Sequence, residues 1–564
     1  MSVVLPKYLE EMLKVLPNPT SVWKYMLAVT QIPRGSNGDN ECFRHKKILG
    51  FLKEQAEKLH CDTYVDKGEN LIIRKPAYPG LETKPTVCLQ CHMDMVVQKD
   101  DSVDINLDTD PLTPRIVDGY LRATGTSLGA DNGIGIAACF AILEDKSIKH
   151  GPLEVLVTRD EETGMFGATD LEANVLKAKY MINVDSEAEN AICIGCAGGF
   201  TVTMTLKLPR IEKNNMKRLS LILNNFCGGH SGCDINLGRA NPLHVLGRLL
   251  CSSNTNYSLL DIDCGTADNA IPRKCVVEMA IPEDEESVFI EDLKKEFQNF
   301  QKEYHLIEKT ATFEIVPSSS QSVPVTREAT QQFVNFLEIC PFAVQRYSPV
   351  DQSEVESSMT CAIAVSNQEC VQFTTSVRSS SNTQMDMMYN KLKCVCSMAG
   401  LTLSEKKAPY PGWEPKPDSP LTQSLVKAYE QTVGITPRVY SIHAGLECGL
   451  FMEKYPDLDC SSIGPELNNP HSPDERLLIS SVAPFYSVLT TALENLAKKI
   501  YRFSNLGTSL IQSLDSLVEE GKLTGQQREA VLKQYDKEMY CEMERRKNKL
   551  PKAKLTVQLT GLSN

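Results

Sequence analysis

The hydrophobic pattern changes period several times along these 564 residues. Val22, Tyr25, Met26 and Val29 recur at helical spacing within 19–31, and Phe43, Ile48, Leu49 and Leu52 do so within 42–59, which predicts two helices. Short, continuously apolar runs follow at Leu71–Arg74, Pro85–Cys91, Leu153–Thr158 and Tyr180–Val184, with a helix predicted over Gly133–Glu144 after a GADNG turn. Such runs alternating with helices predict a buried, largely parallel α/β sheet. In that class of sheet, ligand groups gather at the carboxyl ends of strands, a placement that fits His92, Asp131, Glu162 and Asp185.

From about residue 201 the strands alternate polar and apolar positions, at Phe200–Leu206, Arg218–Asn224, Cys275–Ala280, Thr312–Val316 and Val371–Val377. Helices are predicted between them at Pro242–Cys251 and Glu291–Phe300. This is an α+β insertion over 201–398. The first pattern resumes over 399–500 with a helix at Leu421–Val433, a strand at Arg438–Ile442 and a helical segment at Val482–Ile500. One α/β domain, 1–200 and 399–500, is thus expected to be interrupted by a second domain. Residues 501–564 differ again: Leu506, Leu510, Leu514, Leu517 and Val518 mark an amphipathic helix. Thr524 and Gln527 form a capping box before a second helix, Ala530–Met543, then a basic run Glu544–Lys549 ends at Pro551. The tail is expected to be a helical hairpin.

Composition narrows the function classes. A net charge of −13 argues against nucleic-acid binding over most of the surface. The apolar patch Val3–Leu5 is too short for a secretory signal, and Lys7, Glu10 and Glu11 follow it directly. No run approaches the roughly 18 apolar residues that span a bilayer, so a cytosolic protein with no membrane partner is expected. The 20 cysteines are then buried small hydrophobes rather than a disulfide framework. Cys193 and Cys196 form a CxxC with no second pair at zinc-finger spacing, and packing is the reading preferred for them.

The candidate chemistry sits where apolar runs give way to Gly, Asn, Ser or Pro: CLQCHMD, LGADNG, LVTRDEETG, MINVDSE and GPELNNPHSPDE. Acids and imidazoles ending buried strands are poor core material, because an unpaired buried charge is costly. They are good ligands for zinc, manganese or cobalt. Alone, His92 reads as a hydrogen-bonded core histidine, Asp131 as a turn residue, Asp185 as a helix cap and Glu161–Glu162 as a solvated pair. Together, in this order after strands, they point to a two-metal hydrolytic centre. A shared carboxylate holds two metals about 3.5–4 Å apart, and water between them loses a proton more easily. Asp131, with glycines two residues away on either side, suits the bridge; His92 and Asp185 could complete one metal, with Glu162 and His471 completing the other. Asp94 is placed to hydrogen-bond the His92 imidazole from behind. Adjacent Glu161 and Glu162 cannot easily bind the same metal, which leaves one of them free as a general base.

These residues belong to a longer series: LIIRKPA, HMDMV, TSLGADNGIG, HGPLEVLVT, EETGMFGA, INVDSE, GCAGG, GGHSG, NAIPR, YPGW, IHAGLECGL and NPHSPDE. From about residue 18 to 498 the chain resembles the aminoacyl-histidine dipeptidases, also called cytosol non-specific or Xaa-His dipeptidases. These belong to the co-catalytic metallopeptidases that include carnosinases, aminoacylases and glutamate carboxypeptidases. The resemblance implies that His92, Asp131 and Asp185 bind one zinc and that Asp131, Glu162 and His471 bind the other. It implies Glu161 as general base, Asp94 behind His92, and His230 of GGHSG as an oxyanion donor from the lid domain. Arg378 and Asn269 lie in lid motifs suited to the terminal carboxylate of a dipeptide, beside plainer readings as a surface Arg and a turn Asn. His443 is implied to line the substrate pocket without binding metal, and the Asp131–Asn132 peptide to be cis. Cys91, where relatives often have Ala, and Cys233, where Gly is usual, depart from the pattern without removing a donor. The insertion is about twice the simple family lid. It could mimic a dimer partner within one chain, so a homodimer stays open.

The tail YRFSNLGTSLIQSLDSLVEEGKLTGQQREAVLKQYDKEM resembles the N-terminal helical part of the gamma subunit of transcription factor IIA. The likeness stops near KLTVQLTGLSN, where that subunit's β-barrel begins, which weakens any expectation of a transcription complex. A gene fusion or a misjoined gene model would produce such a tail, and the second is preferred. Two readings compete with a metallodipeptidase: an N-acyl amino acid deacylase using the same centre, and a transcription-associated binding protein.

Overall fold

The computed structural model describes residues 3–36, 43–497 and 505–528, together with 530–532, 534, 535 and 538. The continuously apolar runs form the middle of an eight-stranded sheet. Its order is Asp62–Val65, Leu71–Lys75, Leu153–Thr158, Val87–His92, Tyr180–Asn183, Asp459–Ser462, Ala191–Cys196 and Arg438–Ile442. Val87–His92 is parallel to both its neighbours, and Tyr180–Asn183 is parallel to Asp459–Ser462. Every residue of Val87–His92, Leu153–Thr158 and Tyr180–Asn183 is buried, because both faces are covered.

One face carries the helices. Thr20–Val29 packs on Ala130–Glu144, and Pro420–Thr432 packs on Ile479–Ala497. The segment Ile134–Leu143 is apolar all round and buried throughout, as a helix enclosed on every side must be. The opposite face is covered by Phe166–Asp170, Cys448–Lys454 and the loop carrying Trp413, which enclose Ile72, Cys88, Leu156 and Met181. Cys193 and Cys196 lie in this layer among Trp413 and Cys448, and burial pushes the Cys193 thiol up to about 12. They pack as small hydrophobes.

A second, ten-stranded sheet begins at Gly198–Lys207 and closes at Lys407–Tyr410. Phe200, Val202, Met204 and Leu206 alternate with half-exposed residues along its first strand. The buried side packs on the helices Pro242–Ser252, Glu286–Glu303, Arg327–Ile339 and Asn382–Ala399. Phe373 is fully buried between Phe336 and Phe333, with ring centroids at 4.4 and 6.0 Å. Phe373→Ala should cost about 3–5 kcal/mol, read as a lower urea midpoint for the transition that exposes this core.

The expected strands and helices recur within a residue or a few at their ends. The helix expected from Gly133 starts at Ala130 instead, with non-helical backbone at Asp131 and Asn132. Asp131 therefore does not sit at the end of a strand, as its placement by sequence had it. It lies in the first turn of a helix, where the chain turns sharply. Several elements escape a reading by periodicity. The strand Asp459–Ser462 is too polar to stand out, and the helix Arg327–Ile339 carries mixed apolar and polar residues. In the tail, Asn505–Glu519 is helical, and Thr524 and Gln527 exchange reciprocal bonds at 2.8 and 3.2 Å. The expected helix Ala530–Met543 lies largely outside the described residues, and the basic run 544–549 wholly so.

Candidate metal centre

Parallel neighbours in register bring three strand ends to one place. His92 closes its strand opposite Thr158, and Gln90 pairs with Asn183. The chain then runs through Asp160 to Glu161 and Glu162 on one side and to Asp185 on the other. Asp131 arrives separately. Its peptide bond to Asn132 is cis, and Asn132 Nδ2 donates to the Val184 carbonyl at 2.9 Å. A Cβ at Gly135 would stand 2.2 Å from Asn132 Oδ1, so only glycine leaves room for that side chain. His471 comes from the turn between Leu467–Asn468 and Arg476–Leu478, part of a four-stranded sheet. There Leu477 pairs with Leu121, on the strand that leads into the Asp131 loop. That pairing closes the long sequence gap to His471.

The two oxygens of Asp131 face two different imidazoles. His92 Nε2 is 2.9 Å from Oδ1, and His471 Nε2 is 3.1 Å from Oδ2. Asp185 Oδ1 flanks His92 Nε2 at 3.3 Å, and Glu162 Oε2 flanks His471 Nε2 at 2.9 Å. His92, Asp131 and Asp185 form one group whose ligand atoms lie within 4.8 Å of one another; Asp131, Glu162 and His471 form a second. His92, Glu161 and Glu162 form a third such group.

The electrostatics call for cations. Burial alone would lower the His92 imidazole, but Asp185 and the bonds to Asp131 and Asp94 hold it well above its ordinary value. Hydrogen bonds to Asp131 and Glu162 push His471 up to about 11. Burial, with repulsion from Asp131 and Glu162, pushes Asp185 up to about 7. Burial likewise lifts Glu161 well above the carboxylate range. Glu162 Oε1 is buried with no hydrogen-bond partner, and buried Asp185 Oδ1 has only the 3.3 Å approach of His92 Nε2. Converging carboxylates, an orphaned oxygen and inward-facing imidazole nitrogens are a donor set that fits two divalent ions.

Asp94 does more than face His92 Nδ1 at 3.3 Å. Its oxygens also accept from the backbone N–H groups of Glu161 and Glu162 at 3.1 and 3.3 Å and from Ser36 Oγ at 2.7 Å. One carboxylate thus orients both the imidazole and the Glu161–Glu162 turn. Two further residues escaped the sequence reading. Glu475, 2% exposed, accepts from Leu128, Gly129, Ala130 and Asp131 N–H groups at 2.7, 2.9, 2.7 and 3.3 Å. Its signal was its place in the same NPHSPDE turn as His471. Arg34 is buried and donates to the carbonyls of Met93, Asp94 and Gly129, tying the His92 and Asp131 loops together.

The remaining candidates gather where the second sheet meets the first domain. Arg378 lies on the strand Cys370–Ser379, with Nε 3.3 Å from Ser231 Oγ and a second nitrogen donating to Tyr410 Oη at 3.0 Å. His230 Nδ1 accepts from the Gly232 and Cys233 N–H groups at 3.2 and 3.0 Å, which leaves its proton on Nε2. Burial and the nearby Arg378 charge lower its pKa, so the ring is neutral. His443 Nε2 lies 2.7 Å from Ser358 Oγ, and burial with Arg378 lowers it to about 3. Asn269 is exposed, and its carbonyl accepts from Ser231 N–H at 2.8 Å. A Cβ at Gly232 would stand 2.2 Å from the His443 carbonyl, so the two domains meet closely there. Among the described residues, no hydrogen bond or ion pair joins His230, Asn269, Arg378 or His443 to the five residues of the two groups built on Asp131 or to Glu161.

Comparison with known proteins supplies the family. Residues 88–495 match the model of peptidase family M20/M25/M40, and residues 498–542 match the helical domain of the transcription initiation factor IIA gamma subunit. The chain is 35% identical to the cytosol non-specific dipeptidase of Escherichia coli over 487 residues, covering 86% of this chain and 99% of that one. It superposes on the aminoacylhistidine dipeptidase of Vibrio alginolyticus with a TM-score of 0.79 at 35% identity, covering 86% of this chain and 97% of that one. The aminopeptidase PepT of Bacillus cereus shares the fold at a TM-score of 0.50 and 16% identity, over 85% of this chain and 99% of that one. Over its α/β core and the sheet inserted into it, this chain belongs to peptidase family M20/M25/M40.

Proposed function

We propose that the protein is a cytosolic metallodipeptidase that hydrolyses unblocked dipeptides, Xaa-His among them, at a dinuclear centre. The observation that carries the reading is Asp131, whose two oxygens face two imidazoles at 2.9 and 3.1 Å, each imidazole flanked by a second carboxylate. The 35% identity to a cytosol non-specific dipeptidase supports the substrate class and the compartment. No helix among the described residues is long and apolar enough to cross a membrane.

His92, Asp131 and Asp185 would hold one ion, and Asp131, Glu162 and His471 the other; zinc suits this nitrogen and oxygen set, with manganese or cobalt as alternatives. When bound, such a pair polarises the peptide carbonyl and lowers the pKa of water. The protein's own groups do the rest. Glu161 takes a proton from the attacking water as the C–O bond forms, then delivers it to the amine nitrogen as the C–N bond breaks. His230, neutral with its proton on Nε2, donates to the developing oxyanion. Arg378 and Asn269 hold the substrate's terminal carboxylate, and His443 lines the pocket. The segment 201–398 acts as the lid that carries His230, Asn269 and Arg378. None of this chemistry uses the tail.

The test is a substrate panel on the full chain: Ala-His, β-Ala-His, Leu-Leu and N-acetyl amino acids, each with zinc, manganese or cobalt. Unblocked dipeptides should be cleaved, activity should vanish on chelation, and metal should restore it. Cleavage confined to N-acetyl amino acids would make the protein a deacylase instead.

A further inference from the structure

Below the ligand strands lies a buried carboxylate that the mechanism does not use. Glu447, from IHAGLECGL, is 1% exposed and immediately precedes the helix Cys448–Lys454. Its Oε2 accepts from Gln90 Nε2 at 2.6 Å and from Thr158 Oγ1 at 2.8 Å. Gln90 Oε1 in turn accepts from Asn183 Nδ2 at 2.6 Å, and Asn183 Oδ1 accepts from the backbone N–H of Asp185 at 3.2 Å. Gln90, Thr158 and Asn183 are all 0–1% exposed. They lie just ahead of His92, Glu161 and Asp185, one on each of the three parallel strands whose ends carry those residues.

This hub has an electrostatic oddity. Glu447 Oε1 is buried with no hydrogen-bond partner, and no Lys, Arg or His contacts the carboxylate among the described residues. A buried, unpaired carboxylate is costly and is retained where its charge is used. Burial lifts the carboxyl to about 8, and the charged groups that reach it belong to the centre above: His92 favours its ionised form, as bound cations would, while Asp185 and Asp94 oppose it. A neutral glutamine would make the same two bonds through its amide oxygen, so hydrogen bonding alone does not call for an acid here.

We infer that Glu447 is a positioning residue for the metal centre, joining the three ligand-bearing strands through Gln90, Thr158 and Asn183 and placing a negative charge beneath the cations they hold. The inference rests on the metallopeptidase reading. Its consequence is thermodynamic: the charge favours ion binding and opposes folding of the empty protein, whereas a purely structural acid would support both states alike.

Zinc affinity of the full chain, measured by competition with a chromogenic chelator, tests it in wild type, Glu447→Gln and Thr158→Val. Melting temperature is followed with and without zinc. E447Q should bind at least one zinc about 10–100-fold more weakly, with a smaller zinc-induced rise in melting temperature. T158V removes one bond to the same oxygen but no charge, and should weaken binding about threefold or less. Wild-type affinity in E447Q, or an equal loss in T158V, would overturn the proposal. So would a melting temperature that falls by the same amount with and without zinc. A wild-type chain that binds no zinc would overturn the metal reading itself.

Discussion

Glu161→Gln should lower kcat on an unblocked dipeptide by about 10²–10⁴-fold while leaving the protein its full complement of metal, because in the proposed mechanism it removes the proton carrier and nothing else. Glutamine preserves the shape of the side chain. The backbone N–H of residue 161 still donates to Asp94, so the turn keeps its conformation. Glu161 stands in neither of the two groups built around Asp131, so both of those stay complete. The carboxylate is buried among like charges, an environment that makes it a stronger base than a surface glutamate and suits it to take a proton from water. Activity and elemental analysis on the same preparation decide the matter. A variant with wild-type kcat would remove Glu161 from the mechanism, and one that has lost metal would make it a ligand.

Asp131→Ala should abolish activity, by about three orders of magnitude or more, and should release both ions together. The reason is geometric. Each imidazole has one flanking carboxylate of its own, but only Asp131 faces both. Without it each half keeps two donors, too few for a stable site. His471→Ala makes the contrast: its donor serves one group alone, so the site of His92 and Asp185 keeps its ion. Calorimetric titration reads this directly as no binding steps in D131A and one in H471A. The protection that metal gives against heat should disappear in D131A as well, since a ligand stabilises only the state that binds it. Two binding steps retained in D131A would show that the ions do not share this carboxylate.

Much of the architecture was legible in the chain because the signal was local. Leu153–Thr158 and Tyr180–Asn183 are continuous apolar runs, and only a strand covered on both faces tolerates that. The alternation from Phe200 to Leu206 announced a one-sided sheet just as directly. The donors could be picked out for the opposite reason: an imidazole and acids next to buried strands are misplaced unless they bind something. The capping box at Thr524 and Gln527 was readable because both partners lie within one turn.

What stayed hidden depends on pairings that leave no local trace. No periodicity marks Glu475, because its partners are four backbone N–H groups more than three hundred residues away. Arg34 is invisible for the same reason, since backbone carbonyls have no sequence signature. The start of the Asp131 helix was misplaced because its first turn is held by Glu475 and Asn132 rather than by helix propensity. By itself, then, the sequence determined which segments fold into which layers and which residue types could carry chemistry, since both follow from where apolar and polar groups can be buried. Only the tertiary structure decided that the two oxygens of Asp131 face two imidazoles and that Glu475 and Glu447 support the site from behind. Those arrangements come from strand register and long-range hydrogen bonds, which exist only once the chain has closed on itself.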